Sequence, residues 1–192
     1  MVRVYTAPMS SQIASTELLT DRLQLRWMTA DDAAFCLSMW NDPDFIRHVG
    51  DRGIRTLEQA AEAMQSGMLK LYRDVGYGPY LLARKEGGPP LGLCGLFKRE
   101  NLDHPDIGYA LLPEYCGSGY AFEAAAAVMQ HAREKMKLPC LKAIVSPGHS
   151  RSIRLLEKLG MHPERPVRMP GEDEDVLLYS IELTARDGVR GN

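Results

Sequence analysis

The chain lacks any apolar run approaching the roughly 20 residues that a membrane-spanning helix needs, so the sequence contains no candidate span. Its opening, Met1-Val2-Arg3-Val4-Tyr5, has no long apolar core ahead of a small-residue cleavage site, and no export signal is expected. Cysteine is scarce and dispersed. Cys36, Cys94, Cys116 and Cys140 form no C-x-x-C pair, which argues against a zinc site. The five histidines (His48, His104, His131, His149, His162) are scattered in the same way, and nothing asks for a metal. Without an export signal the thiols are expected to be reduced and the protein cytoplasmic. An excess of one charge is missing too. Lys+Arg is 23 against Asp+Glu 25, a net charge of -2, which argues against a general nucleic-acid binder. No internal repeat is visible, and no biased linker divides the chain.

What is present is a globular composition: 192 residues, 45% apolar, 25% charged, with a mean hydropathy of -0.25. A chain of this length buries roughly two thirds of its unfolded surface without staples. Residues 1–15 read as a loose lead-in, 16–184 as one domain and 185–192 as a frayed tail.

Leu23 to Trp27 alternates as a strand does. Thr29 with Asp32 resembles a capping box, which predicts a helix from Ala30 to Trp40, broken by Asn41-Asp42-Pro43-Asp44. Thr56 with Gln59 repeats the signal. Leu57, Ala60, Met64, Met68 and Leu71 then share one face of a second helix reaching Tyr72. Strands are predicted at Tyr80–Lys85 and Leu91–Lys98, joined by the turn residues Glu86-Gly87-Gly88-Pro89-Pro90. A further strand runs Asp106–Leu112, and a long helix follows through Ala121, Ala125, Val128, Ala132 and Met136. Leu141–Ser146 reads as a strand, Arg151–Leu159 as a helix ended by Gly160, and Val176–Leu183 as the last strand. The order β-α-α-β-β-β-α-β-α-β predicts an α/β domain with a mixed sheet.

Chemistry concentrates in Asp106 to Ala127. A strand ends, a turn bearing Gly117 and Gly119 follows, and a long helix begins. Such a place gathers free backbone N–H groups at the positive end of a helix dipole, which suits a phosphate or pyrophosphate. It is not a Walker pattern, because no Gly-Lys-Ser/Thr follows, and Phe122 occupies the third glycine position of a dinucleotide motif.

The run Asp106-Ile107-Gly108-Tyr109-Ala110-Leu111-Leu112-Pro113-Glu114-Tyr115-Cys116-Gly117-Ser118-Gly119-Tyr120-Ala121-Phe122-Glu123-Ala124 resembles the acyl-CoA motif of the GNAT acyltransferases. Its form is that of the branch related to the Rim-type ribosomal-protein acetyltransferases. Thr20 to Arg26, Trp40 to Pro43 and Ser150 to Met161 resemble that branch's opening strand, first helix end and late helix. The resemblance implies a single GNAT-like domain with a mixed, mostly antiparallel sheet flanked by helices. It also implies transfer of an acetyl group from acetyl-CoA to a primary amine, on a small molecule or a protein N-terminus, by direct attack. The partners implied are acyl-CoA, an amine acceptor and a homodimer.

By the same resemblance, pyrophosphate would meet the backbone N–H groups of Tyr115, Cys116, Gly117, Ser118, Gly119 and Tyr120, with Ala121 opening the helix. The turn often begins with Gln or Arg where this chain has Glu114. The Ala110 N–H would polarise the thioester carbonyl, and main chain near Leu112 would pair the pantetheine arm. Asp106 matches the strand carboxylate base, with His104 a weaker candidate. The acid of many relatives, a Tyr, falls on Leu156; Ser152, one turn earlier, would donate to the sulfur instead. His149 stands where an Asn commonly bonds pantetheine. Cys116 carries no implied role, because direct transfer needs no covalent nucleophile. Trp27 and Trp40 read as core or pocket wall. Glu172-Asp173-Glu174-Asp175 reads as a solvated acidic loop; by resemblance it lies near the acceptor side, where it would favour a cationic acceptor such as a polyamine. A silent acyl-CoA sensor and a nucleotide-binding α/β protein are the alternatives.

Overall fold

Leu23 and Leu25 face one way along their strand and Gln24 and Arg26 the other, and this alternation repeats through the sheet that forms the frame. The computed structural model describes residues 17–171 and 173–184. The expected lead-in and tail lie outside the described residues. The elements are β1 (Leu18–Leu19), β2 (Leu23–Trp27), α1 (Ala33–Trp40), α2 (Pro43–Val49), α3 (Leu57–Ser66), α4 (Met68–Val75), β3 (Pro79–Arg84) and β4 (Gly92–Phe97). They continue with β5 (Asp106–Leu111), α5 (Tyr120–Glu134), β6 (Cys140–Val145), α6 (Ser150–Lys158), β7 (His162–Arg168) and β8 (Asp175–Glu182).

The eight strands form one sheet in the order β1-β2-β3-β4-β5-β6-β8-β7. Every described neighbour pair is antiparallel except β5 with β6. One face carries Tyr80, Leu82, Cys94, Leu96 and Ile107 against Ala124, Ala125, Val128 and Ala132 of α5 and Leu156 of α6. The other carries Leu81 and Leu93 against Cys36, Met39, Trp40, Phe45, Ala60, Met64 and Met68 of α1 to α4. Ala60, Met64 and Met68 of the Met-bearing stripe are therefore core, while Leu57 is exposed.

Three local expectations change. The Asn41–Asp44 segment starts a helix as well as ending one. Asp42 Oδ1 accepts from Asp44 N at 2.9 Å and Phe45 N at 3.3 Å, and Pro43 fills the first helical position, where its missing N–H is no loss. The single helix from Thr56 to Tyr72 is two, because Gly67 leaves helical geometry at φ -107, ψ -95. A strand at His162–Arg168 hides behind Pro163 and Pro166. Among the described residues it pairs only with β8, and the sheet edge is where a strand tolerates proline. Both capping boxes form, and Asp32 also binds Arg26 through both oxygens at 2.7 and 2.8 Å.

Candidate active site

The turn between β5 and α5 is built from left-handed glycines. Gly117 has φ 81 and Gly119, the N-cap of α5, has φ 83, a region L side chains rarely adopt. A Cβ on Gly117 would meet nothing within 4 Å, so this face of the turn is open. The amides of Tyr115 and Cys116 are not open: they donate to Leu112 O at 3.0 Å and Pro113 O at 3.1 Å, closing a 3-10 turn at Pro113–Tyr115. The first amide to bond back into α5 is that of Glu123, to Gly119 O at 3.1 Å. Among the described residues the free donors are therefore those of Gly117 through Phe122, which shifts the expected set two residues along the chain. With a 15-residue helix behind them, they fit a pyrophosphate.

Arg22, part of the opening strand's motif but given no role of its own from the sequence, braces this turn. It donates to Ser118 O at 3.0 Å, bonds Glu123 at 2.7 Å and stacks over Tyr120 at 4.5 Å. Glu123 also accepts from Thr20 and from the Arg22 amide, and these bonds hold its carboxyl below the usual range against the opposing effect of partial burial.

Beyond the turn the sheet splits. β5 and β6 meet at one rung, Asp106 against Lys142, with Lys142 N–H donating to Pro105 O at 2.9 Å. The rest of β5 separates from β6, and a cleft of about 650 Å³ opens between them. The register decides which β5 amides face it. Leu112 N–H donates to Leu91 O at 2.9 Å, and Ala110 sits opposite Leu93. Antiparallel amides alternate in direction, so those of Leu112, Ala110 and Gly108 turn toward β4. The amides facing the gap are those of Tyr109 and Leu111. The Ala110 N–H thus turns away from the gap, and the main chain near Leu112 that faces it is that of Leu111.

The cleft passes through the sheet, and chemical groups stand on both faces. Asp106 is 1% exposed and faces the α1–α4 side. It is not a solvated strand-start carboxylate. Its Oδ2 accepts from Arg99 Nε at 3.0 Å, while the buried Oδ1 has no partner among the described residues. Burial pushes its pKa up, and Arg99 only partly opposes this. On the α6 side, Tyr109 Oη and Ser152 Oγ lie 2.7 Å apart. Burial raises the Tyr109 phenol to about 12, so it keeps its proton. Leu156 is 1% exposed and belongs to the core.

Residues 22–162 match the model of the acetyltransferase (GNAT) domain. The chain belongs to the GNAT acetyltransferase family. An uncharacterized protein of Bacillus subtilis, YkkB, is 32% identical over 160 residues, covering 81% of this chain and 90% of that one. The uncharacterized N-acetyltransferase p20 of Bacillus licheniformis is 27% identical over 174 residues, covering 85% and 94%. Among solved structures, an acetyltransferase from Agrobacterium tumefaciens superposes with a TM-score of 0.74 at 24% identity, over 95% and 99% of the two chains. The ribosomal-protein acetyltransferase RimL, solved in complex with coenzyme A, superposes with a TM-score of 0.75 at 16% identity, over 87% and 98%. The last two likenesses concern fold.

The remaining groups of this GNAT site sort by place. His149, the residue before α6, stacks on His48 of α2 with ring centroids 4.0 Å apart, and both line the cleft. Burial, then His48 and Arg151, lower the His149 pKa, so the ring is neutral at pH 7. His104 lies 3.9 Å from Asp103 and does not line the cleft. Cys116 is exposed in the turn, but its thiol is raised by desolvation and is no ready thiolate. Trp40 is cleft wall, and Trp27 stacks on Tyr72 at 4.4 Å. Glu172 of the acidic run lies outside the described residues. Asp173, Glu174 and Asp175 do not line the cleft; Arg168 binds Asp175 at 2.6 Å and Asp173 O at 2.7 Å. Among the described residues no group of three or more metal-ligating side chains occurs, and no helix is long and apolar enough to cross a membrane. Sequence reasoning assigned no role to Tyr109, Arg22 or Arg99, nor to Arg47 and Arg52, which also line the cleft. Of these only Tyr109 carried a signal, since it shares its strand face with Ile107.

Proposed function

We propose that this GNAT enzyme transfers an acetyl group from acetyl-CoA to a primary amine by direct attack in a ternary complex, and that it belongs to the Rim-type branch. The observation that carries the reading is the set of three features that β5 brings together. Free amides of Gly117–Phe122 follow its C-terminal end, its separation from β6 opens a gap, and that gap is lined by a buried carboxylate with one unpartnered oxygen. Pyrophosphate takes the turn, with Ser118, Gly119, Tyr120 and Ala121 giving main-chain bonds. The extended arm of the thioester lies along β5 as a short extra strand.

The Tyr109 and Leu111 amides, fixed in the gap, then face the carbonyl oxygen where negative charge develops, which is oxyanion stabilisation. An alkyl ammonium is almost wholly protonated at pH 7, and only the free amine attacks. Asp106 Oδ1 takes that proton, directly or through water, and burial makes it a better base than a solvated carboxylate. As the new N–C bond forms and the C–S bond breaks, the nitrogen sheds its second proton and the sulfur gains one, the exchange relayed by solvent and the Ser152 hydroxyl. The leaving sulfur receives a hydrogen bond from Ser152, whose Oγ is held by Tyr109. His149, neutral, donates one bond to the pantetheine arm. Tyr109 thus supplies from β5 the phenol that Leu156 does not supply from α6, and this favours turnover over a silent sensor.

Thermal-shift titrations with acetyl-CoA, CoA, ATP and NAD test the binding half of this reading, since a ligand of the native state raises the melting point. A rise with the two CoA ligands alone is expected. An amine panel with thiol detection tests the transfer. No rise with CoA refutes both transferase and sensor.

A further inference from the structure

The side of the cleft that faces α1 and α2 has a charge balance that a plain amine does not match. Its lining includes Arg47, Arg52, Lys98 and Arg99 against a single carboxylate, Asp106. Arg99 spends its charge on Asp106. Arg52 does not have such a partner: no carboxylate lies within ion-pair distance of it among the described residues. Its guanidinium instead stacks over the Trp40 ring at 4.8 Å and lies 6.0 Å from the Phe45 ring. It also sits close enough to Arg99 to be repelled by it. With Asp106 taken by Arg99, Arg52 stands at the cleft wall as an exposed cation with no carboxylate partner, its fork available to a ligand.

A second observation points the same way. Trp40 is 1% exposed and lines this part of the cleft, yet its Nε1–H has no acceptor. A buried donor left unpaired costs free energy that a ligand acceptor would recover. The same region therefore holds a free acceptor, Asp106 Oδ1, and two free donors, the Trp40 N–H and the Arg52 fork. A guanidinium is suited to a carboxylate or phosphate because it presents parallel N–H groups in a plane.

Resting on the acetyl-transfer reading above, we infer that the acceptor is an amine that bears its own anionic group, carboxylate or phosphate. The amine meets Asp106, and the anion meets Arg52 and the Trp40 indole. A polycationic acceptor such as a polyamine is disfavoured, since it would bring further positive charge to a cleft already rich in it.

The test is calorimetric and needs no turnover. The CoA-saturated protein is titrated with α-amino acids, each matched to its carboxamide, with glucosamine 6-phosphate matched to glucosamine, and with spermidine. At least one anionic member is expected to bind tenfold or more tightly than its uncharged partner, and spermidine more weakly than that member. The pair that shows the preference tells carboxylate from phosphate. Arg52→Gln should cut the preference to about twofold, and Arg52→Lys should keep part of it. Trp40→Phe, which keeps a ring but removes the N–H, should reduce it about threefold. Equal binding within every pair, no binding at all, tighter binding of spermidine, or a preference that survives Arg52→Gln overturns the inference. Thiol release with spermidine but with no anionic amine would overturn it while leaving acetyl transfer intact.

Discussion

Replacing Asp106 by Asn separates catalysis from folding at this site. The change keeps shape and removes the base. Its effect on stability is a near balance. The variant loses a charge-assisted bond to Arg99, worth about 1.5–3 kcal/mol. It is also relieved of burying an ionised group whose Oδ1 has no partner, a cost of about 1–3 kcal/mol. At roughly 2–4 °C per kcal/mol for a chain of this size, the melting point should move by no more than about 8 °C. The two proteins should also differ in pH dependence. The folded Asp106 pKa lies above the ordinary 3.8. Its stabilising contribution is thus fully present below pH 3.8 and is lost as pH rises through the raised value; the Asn variant lacks that slope. Acetyl-CoA affinity should stay within twofold of wild type. The rate should not: loss of a general base costs roughly 10²- to 10⁴-fold in kcat/KM, which is about 3–5 kcal/mol of barrier. The residual rate should climb toward alkaline pH, where the amine sheds its own proton. Thiol detection across pH, beside thermal melts, reads all of this. A variant that turns over within threefold of wild type with an unchanged pH profile refutes the base assignment.

Tyr109→Phe and Ser152→Ala should each lower kcat/KM about tenfold. The double variant should lose scarcely more than either alone, because one hydrogen bond joins them; additive losses in a double-mutant cycle refute the pairing. Gly117→Asp should fold with a modest strain of about 1–2 kcal/mol from its left-handed φ, yet lose the acetyl-CoA thermal shift, since a carboxylate then stands at an anion turn. The His149 pKa sits below the ordinary 6.5, through burial, His48 and Arg151, with Asp44 opposing. Its contribution to stability is therefore present above pH 6.5 and lost as pH falls through the depressed value. Wild type should lose more melting temperature than His149→Gln between pH 6.5 and 5. Neutralising Asp173 and Glu174 should leave acceptor KM unchanged within twofold, as neither lines the cleft.

Elements whose signals are local were legible in the sequence. Thr29 with Asp32 and Thr56 with Gln59 announced helices, and the Ala121–Ala125–Val128–Ala132 spacing announced α5. Proline misled where its meaning depends on neighbours. Pro43 begins a helix because Asp42 caps it, and Pro163 and Pro166 sit in a strand because that strand is an edge. The glycine turn was readable, but the direction of each amide was not. That direction is fixed by the register of β5 on β4, a relation between two segments joined by a loop rather than a property of either. The burial of Asp106 depends on helices packed over it from the first half of the chain. The Tyr109–Ser152 contact joins residues 43 apart in the sequence. The free guanidinium of Arg52 is defined by which acids fail to reach it, and no pattern of spacing encodes that.

The single rung between β5 and β6 has a further consequence for solubility. A sheet normally hides its strand edges at its borders, where charge and proline blunt them. Here β7 follows that rule with two prolines, but the β5 edge at the gap carries Tyr109, Ala110 and Leu111 with little to repel another chain. It is an interior edge, shielded from neighbouring molecules only by the depth of the cleft and by whatever lies in it. A bound thioester arm would act as a removable border strand. The enzyme's resistance to aggregation should then follow the supply of its own substrate, falling when acyl-CoA is scarce and recovering when it returns.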